Sequence, residues 1–99
     1  MSHDKIKLNY DQAEQMAKTF QQGAQELQRT LHEMQSIAQT LEEGALLGQG
    51  GSAFVDAIRS KLCPSIGRLS DKFNELEGDV HAAIAAMRQA DAESKKQFG

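Results

Sequence analysis

Apolar and small residues recur at Ala13, Ala17, Phe20, Ala24, Leu27, Leu31, Met34, Ala38 and Leu41, in steps that alternate four and three without a miss. Only a helix returns side chains to one face at that spacing, and a sustained seven-residue repeat makes the face a seam for a second helix. Met16, Gly23 and Ile37 widen the stripe on one side. The same spacing returns at Leu62, Ile66, Leu69, Phe73, Leu76, Val80, Ala83, Met87 and Ala90. Half of the eight glycines lie between the two runs, at Gly44, Gly48, Gly50 and Gly51, and such a cluster punctuates the chain. The sequence therefore predicts an all-α fold: an antiparallel helix-turn-helix hairpin forming a single domain over residues 1–99.

Local signals set the expected boundaries. Asn9 is placed to cap the first helix, with Gln12 three residues on to answer it, and Gly44 suits the position just past the end. Helix 1 is expected at about 10–43, roughly 50 Å long at 1.5 Å per residue, and the turn at 44–51. Helix 2 is expected at about 52–90, with Ser52 as N-cap and Phe54, Val55 and Ile58 in its first turns. Pro64 removes a helical hydrogen bond and its ring meets the carbonyl of Ser60, which predicts a kink near 60–64. The polar tail, 91–99, is expected to fray. Folding the seams antiparallel brings together residues whose numbers sum to 96 or 97. That register sets Met34 near Leu62, Leu31 near Ile66, Leu27 near Leu69, Ala24 opposite Phe73 and Phe20 opposite Leu76. Phe20, Leu27, Leu31, Met34, Leu62, Leu69, Phe73 and Leu76 are thus the expected core and dimer seam.

Two helices touch along one line, and each stripe is wider than a line. Burying a Leu or Ile side chain is worth about 1.5–3 kcal/mol, so the flanks favour a second layer. Two hairpins packing into a four-helix bundle dimer supply it, the partner being a second copy or a paralogous hairpin. From Asn9 to Glu43, six acids against two bases leave −4, while the seven of each from Ser52 onward balance. Charge therefore does not fix which partner it is.

Other function classes find little support. A net charge of −3 gives no basic surface for nucleic acid. The longest apolar run, Ala82 to Met87, is far too short to span a bilayer, so no stable membrane insertion is expected. Met1 to Tyr10 has no apolar stretch of signal-peptide length. Cys63 is the single cysteine, which excludes an internal disulfide and reads as a core or near-core residue. Gly48-Gln-Gly-Gly-Ser52 lacks the strand, spacing and Lys-Ser/Thr ending of a phosphate loop. His3, His32 and His81 have no metal-ligand spacing with one another or with Cys63. Asp71, Glu75 and Asp79 align, with Arg68 and Lys72 among them, as a solvated face does. The expectation is a protein that is not an enzyme and has no catalytic, cofactor-binding or metal-ligating residues.

The turn reads Leu46-Leu47-Gly48-Gln-Gly-Gly-Ser-Ala53-Phe54, and the end of the second run reads Met87-Arg88-Gln89-Ala90-Asp91. Together with the length, the two helices and the mid-chain turn, these stretches resemble the WXG family. Its members are small substrates of type VII (ESX-like) secretion systems and relatives of the mycobacterial early secreted antigen. The family turn carries Trp, any residue and Gly ahead of an Ala-aromatic pair. Gly48 and Phe54 match it, and Leu46 stands where the Trp would be. A family export mark sets a Tyr four residues before an acid. Asp91 matches the acid, and Met87 replaces the Tyr. Leu46 keeps apolar bulk without the indole donor, serving either as a plug at the bundle end or as recognition surface.

The resemblance implies a protein that folds in the cytoplasm, pairs, and is secreted as a folded dimer without a cleavable signal peptide, with a type VII secretion ATPase as a further partner. The alternative is a cytoplasmic helical adaptor or chaperone-like partner of the same fold that is not exported.

Overall fold

A computed structural model describes the backbone over residues 3–44 and 48–98 and side-chain surroundings over 10–44 and 48–96. The described residues are all helical apart from the turn: α1 (His3–Glu43), α2 (Gln49–Ala57), a π-helical turn (Ile58–Leu62) and α3 (Cys63–Phe98). Several boundaries differ from those expected. Helix α1 begins at His3, so Asn9 lies inside it rather than capping it, and α3 continues to Phe98 through the polar tail. Ser52 is likewise internal. The N-cap of α2 is Gly48, in extended conformation with no side-chain cap, and its carbonyl accepts the Ser52 N–H at 3.1 Å. The helix thus starts on Gln49-Gly-Gly, where each glycine costs about 1 kcal/mol against alanine. At the other side of the turn the Gly44 N–H donates to the Thr40 carbonyl at 3.0 Å. Leu46 lies outside the described residues.

By contacts the chain divides into two compact units, and each draws on both arms. The turn unit, Gly23–Lys72, is a hairpin. Its buried cluster is Ala38, Val55, Ile58 and Cys63, with Leu31, Met34 and Leu41 packed against it. Deeper along the arms, Ser70 is fully buried. Its hydroxyl donates to the Ala24 carbonyl at 3.3 Å and accepts from the Gln28 amide at 3.1 Å, so the one buried polar side chain is satisfied. Later residues of α1 meet earlier residues of the returning arm, which makes the pairing antiparallel.

The terminal unit comprises Met1–Gln22 and Phe73–Gly99. Ala17 and Ile84 are buried in it. The rings of Phe20 and Phe73 meet edge to face, with centroids 5.6 Å apart and planes at 71°, a favoured aromatic geometry. Phe20 thus meets Phe73, and Ser70 bonds both Ala24 and Gln28, which stand one turn apart on α1.

Pro64 shapes the start of the returning arm. Proline lacks the N–H that would bond the Ser60 carbonyl and crowds that carbonyl with its ring. The helical path does not break there. It widens into one π turn, in which the Cys63 N–H reaches the Ile58 carbonyl five residues back, and α3 resumes at once. The Ser60 hydroxyl bonds the Asp56 carbonyl at 2.5 Å, a local contact that competes with the regular ladder. A π turn spends one extra residue. A seven-residue step from buried Val55 leads to Leu62, and the extra residue moves the buried position to Cys63. The inward line of α3 is accordingly Cys63, Ser70 and Ile84, each one residue later than Leu62, Leu69 and Ala83. Ile66, Phe73, Val80 and Met87 stay half-buried.

The arms thus approach through small residues: Ala17, Ala24 and Ala38 on one, Cys63 and Ser70 on the other. An added side chain has nowhere to go in such a contact. Ala38→Leu is expected to lower stability by about 1–3 kcal/mol, read as a lower urea midpoint with unchanged slope.

Candidate functional site

The inward line divides each arm into two flanks, because a helix turns 100° per residue. Among the described residues, the large apolar side chains left most exposed are Met16 (52%), Ile37 (51%), Phe54 (56%), Leu62 (45%) and Leu69 (46%). Each stands one position before a buried residue: Ala17, Ala38, Val55, Cys63 and Ser70, respectively. The offset has the same sense on both arms. Since the arms run antiparallel within each unit, equal offsets fall on the same face of the pair. Half-buried Leu27, Leu31, Met34 and Leu41 on α1, and Ile66 on α3, lie between the inward line and this flank in the turn unit. Phe20, Phe73, Leu76, Val80 and Met87 do so in the terminal unit. The result in each unit is one continuous apolar face.

In the terminal unit this face is concave. Gln12, Ala13, Met16, Val80, Ala83, Ile84 and Met87 line a groove of about 370 Å³. Ala13 and Ala83 leave the space, and the thioethers of Met16 and Met87 border it.

The opposite flank is polar and closed. Its residues stand four positions after an inward one: Gln28 after Ala24, Glu42 after Ala38, Arg59 after Val55 and Arg88 after Ile84. Here cross-arm bonds form. Gln28 holds Ser70, Arg59 pairs with Glu42, and Arg88 reaches Glu14 at 2.5 Å. The Arg88 guanidinium also sits 5.4 Å from the centroid of the Tyr10 ring, and the Tyr10 hydroxyl donates to Asp91. These exposed pairs contribute little stability individually, but they give this flank hydrogen-bonded polar cover.

The expected seam residues are therefore not equivalent. Phe20, Leu27, Leu31 and Met34 are half-buried on α1, as are Phe73 and Leu76 on α3, while Leu62 and Leu69 are mostly exposed. Gly48 begins α2, and Phe54 projects from it. Met87 and Asp91, joined in sequence by their spacing, part in the structure: Met87 lines the apolar groove, and Asp91 joins the polar flank through Tyr10. Of this cluster the sequence marks Asp91 alone; Tyr10, Glu14 and Arg88 carry no motif. The signal was available, since Tyr10 sits seven residues before Ala17 at the head of the first repeat. Cys63 is buried on the inward line. His32 and His81 are exposed, and His81 lies 3.5 Å from Glu77. Among the described residues no cluster of three or more His, Cys, Asp or Glu could hold a metal ion, and no helix is long and apolar enough to cross a membrane.

The Tyr10–Asp91 contact has a measurable consequence. The hydrogen bond to Asp91, with that carboxylate's negative charge, favours the neutral phenol and pushes the Tyr10 pKa above its usual value. A raised folded-state pKa means that the contact's stabilisation is complete below the ordinary tyrosine pKa and is lost as pH rises through the raised one. Tyr10 is the single tyrosine and there is no tryptophan, so tyrosinate absorbance reports it alone. Asp91→Ala is expected to bring the titration midpoint down towards that of free tyrosine. An unchanged midpoint would show that the contact does not form in solution.

A model of the WXG100 family, described as proteins of 100 residues with WXG, matches residues 5–92. No curated protein and no solved structure matches the chain significantly.

Proposed function

The chain belongs to the WXG100 family, and from that membership we propose that it is a non-enzymatic type VII secretion substrate that pairs through its open apolar face and is exported as a folded dimer. The family is one of small type VII substrate-like helical proteins. What supports the pairing is the regular offset of Met16, Ile37, Phe54, Leu62 and Leu69 from the inward line. Scattered apolar residues are ordinary on any surface, whereas a face repeated in phase on both arms matches what the second layer of a four-helix bundle covers. A stable pairing removes roughly 800 Å² per partner, about a tenth of the 7572 Å² this chain exposes. Phe20, Leu27, Leu31, Met34, Leu62, Leu69, Phe73 and Leu76 would meet the second hairpin. The partner is a second copy or a paralogous hairpin, and a secretion ATPase would engage the dimer.

A specific observation favours a second reading, a cytoplasmic helical adaptor or chaperone-like partner of the same fold. Leu46 and Met87 occupy the positions of the family's Trp and Tyr, and Met87 is turned into the groove. The two readings separate on one measurement. Deleting the type VII secretion ATPase of the source cell should empty the culture supernatant of a substrate and leave an adaptor's distribution unchanged.

Leu62→Glu with Leu69→Glu tests the pairing itself. Both side chains are largely exposed in the single chain, so helical content should survive. Self-association should weaken by about a hundredfold or more, seen by light scattering as a change from dimer mass to monomer mass. A wild-type chain that runs as a monomer at all concentrations would remove the basis of the proposal, unless adding a paralogous hairpin restores the dimer mass.

A further inference from the structure

We infer that the π turn at Ile58–Leu62 is a two-position switch within the turn unit. Pro64 holds it in the observed setting, with Cys63 and Ser70 inward, and relaxation to a regular helix brings Leu62 and Leu69 inward in their place. Every residue involved belongs to Gly23–Lys72. On a regular helix a step of seven returns a side chain to within about 20° of its starting direction. From buried Val55 that step reaches Leu62, and a second reaches Leu69. The π turn carries the Cys63 N–H back to the Ile58 carbonyl and delays the return by one residue. Leu62 and Leu69 are left 45% and 46% exposed as a result.

The side chains suit both settings. Ala24 and Ala38 on α1 are small, and a small residue accepts a large one opposite it. Ile66 stands three positions after Cys63 and four after Leu62, so it stays beside the inward line either way. Ser70 is satisfied inside by the Ala24 carbonyl and the Gln28 amide, and outside water replaces both. The regular setting gains the burial of two leucines. Three contacts oppose it. Pro64 has no N–H for the Ser60 carbonyl and crowds that carbonyl with its ring. The Ser60 hydroxyl bonds the Asp56 carbonyl at 2.5 Å, and the two bonds of Ser70 would be given up. Two packings of one sequence with opposing gains of this kind form a two-state element. Relaxation turns Cys63 by about 100° out of the arm contact, towards the flank that carries Arg59 and away from the apolar one.

Cys63 is the single cysteine, so its rate of reaction with N-ethylmaleimide reads the setting. Pro64→Ala supplies the missing N–H and removes the ring. Its Cys63 thiol is expected to react about tenfold faster or more than that of the native chain, with helical content by circular dichroism unchanged. Val55→Cys on a Cys63→Ala background reports the inward position ahead of the π turn, which is the same in both settings. Adding Pro64→Ala should leave that thiol's rate as it was. An unchanged Cys63 rate would overturn the inference, and so would a rise at both positions, which marks general loosening. Deleting Ser60 from the Pro64→Ala chain gives a second reading. A regular helix one residue shorter returns Cys63 to seven positions after Val55, and its rate should fall back to within about twofold of the native value. A rate that stays high while helical content is retained would overturn the switch.

Discussion

Close approach of the two arms through small side chains is the contact on which the rest depends. Ala17, Ala24, Ala38, Cys63 and Ser70 are all buried, and none is large. A contact line of this kind brings backbones near and packs at native density, but it hides little apolar area per residue. The larger side chains, Leu27, Leu31, Met34, Leu62, Ile66 and Leu69, are pushed to one flank, where they are only half covered or open. A chain of 99 residues has little stability in reserve. The same small residues that let the arms meet therefore leave the larger apolar side chains only partly covered within the chain.

The two flanks differ in what they offer. One presents hydrogen-bonded pairs across the arms, with Gln28, Glu42, Arg59, Arg88 and Tyr10 each engaged. The other presents mainly apolar side chains, the thioethers of Met16, Met34 and Met87 among them. A surface already satisfied internally has little to gain from a partner, whereas an open apolar one does. The chain belongs to the WXG100 family.

Much of this was legible in the sequence, though unevenly. The repeat in α1 was readable because nothing interrupts it: every residue from Ala13 to Leu41 in the four-three series is buried or half-buried. The repeat in α3 was equally regular yet marks the half-buried and outer positions, because a periodicity count ranks residues by size and the true contact line favours the small ones. The offset between the two is one residue, and it originates at the π turn, whose existence Pro64 signalled but whose geometry it did not. Ser52 and Asn9 are good capping residues that fall inside helices, since the helices start earlier than these residues suggest; tertiary packing along a long repeat overrides local preference. The polar cluster of Tyr10, Glu14, Arg88 and Asp91 joins positions more than seventy residues apart in sequence, and no local pattern encodes that meeting.

The π turn also acts as a phase shifter. Because it adds one residue between Val55 and Cys63, it rotates all of α3 about its own axis relative to the segment before it, without altering a single side chain downstream. A regular α-helical path through the same residues would instead turn Leu62 and Leu69 inward and present Cys63 and Ser70, so composition would not change while the outward identity of the molecule would. A change between π and regular turn at this one point alters which side chains the whole helix presents, where substitution along the helix would need many.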